Sequence, residues 1–254
     1  MTPGALLLDI DGTLYVGDDA VPGAPAAVQL LQGRGIPIRY LTNTTRFSRQ
    51  ELASRLRALG FPATDEQLFT APVAAAAWLA RERVRRIALC VPESTLADFR
   101  DFEMVDERPE AVVVGDLGEA WSFATLNRAF RQLLDGARLV ALQRNRYWRT
   151  PDGLTLDAGA FVAALEFGAA VQAVVVGKPS AEFFRLAAAS LPAAAAPPVV
   201  VGDDIETDIA GARAAGLPAI LVRTGKFRAS DLQASLTRPD AVIDSVADLP
   251  GLFP

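Results

Sequence analysis

The chain has 254 residues, 51 % of them apolar, and a formal net charge of −5. This length allows one large domain or two smaller domains, each with a hydrophobic core. The net negative charge, with no basic run beyond residues 81–86, argues against nucleic acid or an anionic membrane as a partner. Asp9 interrupts the first apolar stretch, which argues against a signal peptide or a membrane span there.

Three further features of the composition limit the kinds of disulfide, catalytic site and metal site that the chain can form. Cys90 is the single cysteine, so no internal disulfide can form, which favours a cytoplasmic location. The chain has no histidine, which excludes Ser-His and Cys-His nucleophile pairs and histidine-ligated zinc. Only Lys178 and Lys226 are lysines among 25 basic residues, so each is a candidate for a specific role.

Both ends of the chain alternate between predicted strands and helices. In chain order we expect a strand at 5–9, a helix to Gly33, a strand at 37–42, a helix after the capping box of Ser48 and Glu51, a strand at 173–177, a helix from Ser180, a strand at 198–204, a helix through Ile205 and Ile209, and strands at 219–225 and 241–244. This alternation predicts an α/β fold with a doubly wound, Rossmann-like parallel sheet.

The middle of the chain has α/β elements of its own. Predicted strands at 86–91, 111–115 and 138–142 surround a helix that contains Leu126. We interpret residues 73–173 as a smaller α/β domain inserted into a core formed by 1–72 and 174–254.

Four of the predicted core strands are apolar runs with a polar residue at or just after their carboxyl end. These residues are Asp9, Thr42, Lys178 and Asp203. Each alone is compatible with an ordinary turn or helix cap, and Asp204 with a cap of the helix after it. Since ligand sites of open parallel sheets lie beyond the carboxyl ends of the strands, we expect these side chains to converge.

Paired carboxylates at this edge predict a metal and phosphate site. Asp9 and Asp11 form one pair, and Asp203 and Asp204 form another. Oxygen ligands without histidine or cysteine favour Mg²⁺. A lysine in the same site favours a phosphate ligand, and an aspartate is a competent nucleophile towards phosphorus.

Four segments, "DIDGTLY", "LTNTT", "GKP" and "GDDIETD", resemble in order the four motifs of the haloacid dehalogenase-like hydrolase superfamily. The resemblance extends over nearly the whole chain. Within the superfamily it is greatest to the branch that contains haloacid dehalogenase-like domain-containing protein 2 and phospholysine phosphohistidine inorganic pyrophosphate phosphatase. It implies a Mg²⁺-dependent phosphatase with a covalent aspartyl-phosphate intermediate.

The resemblance also implies a role for each motif residue. Asp9 is the nucleophile and Asp11 the general acid and base, a position at which some relatives in the branch carry Asn or Ser instead. Mg²⁺ is bound by the Asp9 carboxylate, the Asp11 backbone carbonyl and Asp203. The remaining roles are phosphoryl binding by Thr42 and Asn43, charge neutralisation and orientation of Asp9 by Lys178, and support of the metal waters or of Lys178 by Asp204 and Asp208.

The spacing of the motifs locates the inserted domain. Thirty residues separate Asp11 from Thr42 and 24 separate Lys178 from Asp203, whereas 135 lie between Thr42 and Lys178. The insertion therefore corresponds to the α/β cap of the subgroup that carries it between the second and third motifs. Candidate substrate contacts in this cap are Trp121, Arg144, Arg146, Tyr147 and Trp148, each equally compatible with a core or interface role. Lys226 is interpreted as a surface or dimer contact.

The sequence leaves open which phosphorylated substrate the site binds and which oligomeric state the protein has. Sugar phosphates, nucleotides, pyridoxal phosphate, pyrophosphate and phosphoramidates all fit a site that binds mainly the phosphoryl group. The resemblance also allows a homodimer paired through the cap. Two alternatives remain, a phosphorylated signal-receiver domain, whose chain is usually half as long with adjacent acids, and a non-catalytic binding protein that keeps the fold.

Overall fold

A computed structural model describes residues 3–150 and 152–253. Its strands are β1 (Leu6–Asp9), β2 (Tyr15–Val16), β3 (Asp19–Ala20), β4 (Ile38–Thr42), β5 (Leu68–Thr70), β6 (Arg86–Cys90), β7 (Glu103–Met104), β8 (Ala111–Val114), β9 (Arg138–Ala141), β10 (Tyr147–Thr150), β11 (Gly153–Leu156), β12 (Val174–Val175), β13 (Val199–Gly202), β14 (Ala219–Val222) and β15 (Ala241–Ile243). Its α-helices are α1 (Ala24–Gly33), α2 (Arg49–Ala58), α3 (Ala71–Arg81), α4 (Phe123–Leu134), α5 (Ala158–Ala169), α6 (Ala181–Ala189), α7 (Gly211–Ala214), α8 (Ala229–Ala234) and α9 (Leu249–Leu252).

The chain forms two compact units. The first comprises residues 1–42, 49–69 and 178–254, and the second comprises 43–48 and 70–177. Across the described parts of the chain, no helix is both long enough and apolar enough to cross a membrane.

The first unit is built on a six-stranded sheet with the order β15-β14-β13-β1-β4-β5. The pairs β15–β14, β14–β13, β13–β1 and β1–β4 are parallel. In β1, Leu6 and Leu8 join one core cluster with residues of α1 and α2, while Leu7 is buried on the opposite face because side chains alternate along a strand. Both faces of the central strand are therefore covered, as in a doubly wound sheet.

The second unit contains a five-stranded parallel sheet with the order β12-β9-β8-β6-β7. Buried residues of β6, β8 and β9 form a core with α4 and α5, and Cys90 lies in that core. The antiparallel pair β10–β11 completes the unit's described strands.

One strand lies in a different sheet from the one that the sequence suggests. The run 173–177 was expected among the core strands, but the structure pairs Val174 with Val140 and Val175 with Ala141. β12 therefore extends the second sheet, and only from Lys178 onward does the chain belong to the first unit. An apolar strand of two residues fits either parallel sheet, so its pattern could not decide between them.

Candidate active site

The buried acidic residue Asp9 is the centre of the candidate site. It ends β1 and lies in register with Leu41 of β4, which brings Thr42, the last residue of β4, to the same edge of the sheet. The next residues make a tight turn in which Gly12 has a φ of +86°, a conformation that residues with a side chain adopt at a cost. This turn directs the Thr13 hydroxyl back to donate a hydrogen bond to Asp9 Oδ2 at 3.1 Å.

Lys178 joins two carboxylates of the site. Its ammonium group donates to Asp9 Oδ1 and, at 2.8 Å, to Asp208 Oδ1, and all three side chains are buried. Burial alone would lower the pKa of Lys178, but the charges of Asp208 and Asp9 outweigh burial and raise its pKa. The lysine therefore carries a positive charge at neutral pH.

The third buried carboxylate belongs to Asp203, which directly follows β13. One carboxylate oxygen each from Asp9, Asp203 and Asp208 lies within 4.8 Å of the others. Two full negative charges at that distance repel by about 3 kcal/mol at an effective dielectric constant of about 20. The pKa values of Asp203 and of Asp208 are both raised to about 6, mainly by burial and in part by their carboxylate neighbours.

The donor set of this cluster fits a hard divalent cation. Three buried carboxylates offer only oxygen, and their three negative charges exceed the single positive charge of Lys178, so a further cation among them would lower the cost of their closeness. The cluster combines Asp9 and Asp203, two predicted metal ligands, with Asp208, which the sequence analysis assigned a supporting role. The Asp11 side chain is exposed and does not belong to the cluster.

A π-helix at Ile205–Ala210 places Asp208 in the cluster. Its i to i−5 geometry appears where Ile209 N donates to Asp204 O at 3.2 Å, and such local bulges often occur at functional sites. Gly202 makes the close approach possible, because a Cβ at this position would overlap the Asp208 side chain. The helix predicted through Ile205 and Ile209 is thus present, but its first turn is π-helical rather than α-helical.

Asp204 and Asp208 have distinct positions. Asp204 caps the π-helix by accepting hydrogen bonds from Glu206 N and Thr207 N, each at 3.0 Å. Burial would raise the pKa of Asp204, but the hydrogen bonds from Thr207 and the charge of Lys226 outweigh it and lower the pKa. Asp208, in contrast, contacts Lys178 directly, so it is the residue of this pair that supports the lysine.

Asp11 and Asn43, two further residues of the predicted site, have different neighbours. Asp11 and Tyr15 form an isolated backbone bridge, and burial together with the negative charge of Asp11 raises the pKa of the tyrosine hydroxyl. Asn43 belongs to the second unit, where its side chain lies against Gly177.

The predicted cap candidates mostly contact their own unit. Trp121 stacks on Phe161 with ring centroids 4.4 Å apart, and the Arg46 guanidinium lies 3.2 Å above the Trp148 ring. Arg144 forms an ion pair with Glu166, whereas Arg146 and Tyr147 are exposed.

Several residues that shape the site were not among those predicted from the sequence. Thr13 donates to the predicted nucleophile, and the backbone N of Lys226 donates to Asp203 Oδ2 at 2.6 Å. Gly12 and Gly225 both lie against that same carboxylate oxygen. The hydroxyl of Thr13, four residues after Asp9 in the motif "DIDGTLY", was an available signal, whereas nothing local in "RTGKF" indicates a contact with Asp203.

Comparison with known proteins connects this geometry to a family. A family model described as haloacid dehalogenase-like hydrolase matches residues 6–104, and a second, described as HAD-hydrolase-like, matches residues 175–249. The human protein named haloacid dehalogenase-like hydrolase domain-containing protein 2 is 44 % identical over 89 % of this chain and 86 % of its own length. The chain belongs to the haloacid dehalogenase-like hydrolase family.

Two further relatives of this haloacid dehalogenase-like hydrolase carry functional names. A rat protein named phospholysine phosphohistidine inorganic pyrophosphate phosphatase is 38 % identical over 96 % of this chain and 91 % of its own length. The solved structure of a p-nitrophenyl phosphatase from Archaeoglobus fulgidus matches with a TM-score of 0.90 and 28 % identity, covering 99 % of this chain and all of the other. The predicted family, its branch and the α/β fold class are confirmed.

Proposed function

We propose that this hydrolase is a Mg²⁺-dependent phosphatase that acts on a small phosphorylated substrate through an aspartyl-phosphate on Asp9. The observation that carries the proposal is the position of Asp9, which is buried at a strand end and held by Lys178 and Thr13. The names of the rat relative and of the archaeal structure support phosphate ester, pyrophosphate or phosphoramidate hydrolysis. A bound Mg²⁺ would supply positive charge that balances the carboxylates and the phosphoryl oxygens.

In the first chemical step, an Asp9 oxygen attacks phosphorus and the bond from phosphorus to the leaving group breaks. Asp11 gives its proton to the leaving oxygen or nitrogen. In the second step, Asp11 accepts a proton from water while the water oxygen attacks phosphorus, which releases inorganic phosphate and restores Asp9. The exposure of Asp11 suits this exchange, because the residue has to reach both the leaving group and water.

The other core residues hold the reacting groups. Lys178 orients Asp9 by its hydrogen bond and neutralises the phosphoryl group, since its contacts keep it charged. Thr42 and Asn43 bind the phosphoryl oxygens. Asp9, Asp203 and the Asp11 carbonyl would hold the Mg²⁺, and Asp208 supports Lys178 through its hydrogen bond.

The proposal also includes the organisation of the chain. The second unit, which contains the predicted insertion 73–173, acts as a cap that shields the acyl phosphate from stray water and contributes substrate contacts. The candidate contacts are Trp121, Arg144, Arg146, Tyr147 and Trp148. A cytoplasmic location and a homodimer paired through the cap are parts of the same proposal.

Substitution of the nucleophile tests this function. The variant Asp9→Asn keeps the shape of the side chain and leaves Lys178 its contact with Asp208, so we expect a folded protein. Release of 4-nitrophenol and of phosphate should fall at least about 1,000-fold, whereas Asp101→Asn, at an exposed position, should stay within about twofold of the wild type. Retained turnover in Asp9→Asn would refute the covalent mechanism.

Two further measurements distinguish the alternatives. Chelation by EDTA should abolish turnover and added Mg²⁺ should restore it. Acid quenching with radiolabelled substrate should trap a hydroxylamine-sensitive phosphoryl group on the peptide that contains Asp9. A single stable phosphorylation without steady phosphate release would instead identify a receiver-like protein, and no phosphorylation or release across a panel of metabolites would identify a binding protein.

A further inference from the structure

We infer that the segment Thr224–Lys226 is a positioning device for the metal ligand Asp203, an inference that rests on the proposed function. The order β14-β13-β1 places Asp203, at the end of β13, between the loops that follow β14 and β1. The segment belongs to the loop after β14, and Gly12 belongs to the loop after β1. The Asp203 side chain is therefore enclosed by backbone from both neighbouring strands.

Three contacts fix the Asp203 carboxylate. Lys226 N donates to Asp203 Oδ2 at 2.6 Å. A Cβ added at Gly12 or at Gly225 would overlap the same oxygen, so the two glycine backbones close around it. Because the two oxygens of a carboxylate are rigidly connected, fixing Oδ2 also fixes the direction in which Oδ1 presents its lone pairs.

Thr224 connects the loop after β14 to the loop after β1 through a hydrogen bond. Its hydroxyl donates to the Gly12 carbonyl at 2.5 Å, and a Cβ at Gly225 would lie 2.5 Å from the Gly12 Cα. The contact links the segment to the turn that follows Asp9 and contains Asp11. The distance between Asp203 and these two residues thus depends on Thr224 and Gly225, neither of which belongs to the four family-like motifs.

The segment Thr224–Lys226 restrains the Asp203 side chain against electrostatic repulsion by the neighbouring buried carboxylates. Asp9, Asp203 and Asp208 hold their oxygens within 4.8 Å, and an unrestrained carboxylate would turn away towards solvent. A cavity of about 450 Å³ beside Asp203 and Asp204 offers the space for that rotation. Keeping Asp203 turned inward preorganises the cluster for a cation and lowers the cost of binding it.

Mg²⁺ binding measured by calorimetry without substrate tests this role. Gly225→Ala places a methyl group against Asp203, and we expect its Mg²⁺ dissociation constant to rise at least tenfold. Gly216→Ala is the matched control, because Gly216 also has a positive φ, +80° against +57°, but a Cβ there meets nothing within 4 Å. Its dissociation constant should stay within twofold of the wild type.

A second pair of variants covers the case in which Gly225→Ala does not fold. Thr224→Val removes the hydroxyl and should weaken Mg²⁺ binding severalfold, and Thr224→Ser should restore the wild-type constant. Equal Mg²⁺ affinity in Gly225→Ala and Gly216→Ala, or in Thr224→Val and Thr224→Ser, overturns the inference and leaves the proposed function intact. A wild-type protein that binds no Mg²⁺ overturns both.

Discussion

Replacement of Lys178 by methionine removes the positive charge between Asp9 and Asp208. The pair of Lys178 Nζ and Asp208 Oδ1, 2.8 Å apart, has a gross attraction of about 6 kcal/mol at an effective dielectric constant of about 20. Desolvation offsets part of this energy, but the variant leaves two buried carboxylates without their cation. We therefore expect the metal-free Lys178→Met protein to lose about 3–5 kcal/mol at pH 8.

The loss should shrink at low pH. Without the lysine, the pKa values of Asp9 and Asp208 in the folded protein rise further above the ordinary value of 3.8. The folded state then binds more protons than the unfolded state, so stability falls as pH rises from about 4 through the raised pKa values. At pH 5 Asp208, whose pKa is about 6 even with the lysine present, is largely protonated, so the removed charge matters less.

Thermal unfolding in EDTA at pH 8 and pH 5 measures this effect. A loss of 3–5 kcal/mol corresponds to a decrease in Tm on the order of 10 °C for a protein of this size. The matched control is Lys226→Met, which removes the other lysine, an exposed one paired with Asp204 at 3.5 Å, and should cost at most about 1 kcal/mol. Equal melting temperatures for the two variants at both pH values would refute the electrostatic argument.

Two more predictions follow from the acidic cluster. Because the pKa values of Asp203 and Asp208 are raised to about 6, protons compete with a cation below that pH; the Mg²⁺ dissociation constant should therefore fall as pH rises from 5 to 7 and stay level above pH 7. A dissociation constant that does not change with pH would contradict this prediction. Gly202→Ala should push Asp208 off its position, cost about 1–3 kcal/mol and weaken Mg²⁺ binding about tenfold in calorimetry. Gly33→Ala, in α1 with open space around its Cβ, should instead raise the melting temperature slightly.

The sequence predicted the central strands and the polar residues at their ends. Leu6–Asp9 and Ile38–Thr42 end as expected, because an apolar run that stops at a polar residue is a local pattern. The structure also places the side chain of Lys178 in contact with Asp9, the residue that the family resemblance implies it orients. The functional assignment of these residues stays a prediction that the variants above test.

Other features of the site depend on contacts between residues far apart in the chain. Thr224 meets Gly12 across 212 positions, and Lys226 N reaches Asp203 only because β14 lies beside β13. Lys226 is one of only two lysines in the sequence, yet its backbone amide contacts Asp203, whereas its side chain pairs with Asp204. Backbone donors carry no sequence signature, since every residue except proline has one.

The amino-acid sequence by itself determined which residue types the site can use and where strands deliver them, because hydrophobic periodicity and the spacing of polar residues are properties of the chain. The tertiary structure decided which sheet Val174–Val175 joins, that Asp208 rather than the Asp11 side chain completes the buried carboxylate cluster, and how glycine backbones close around Asp203. These outcomes depend on strand order and on packing distances of a few ångström, which arise only when distant segments compete for the same space.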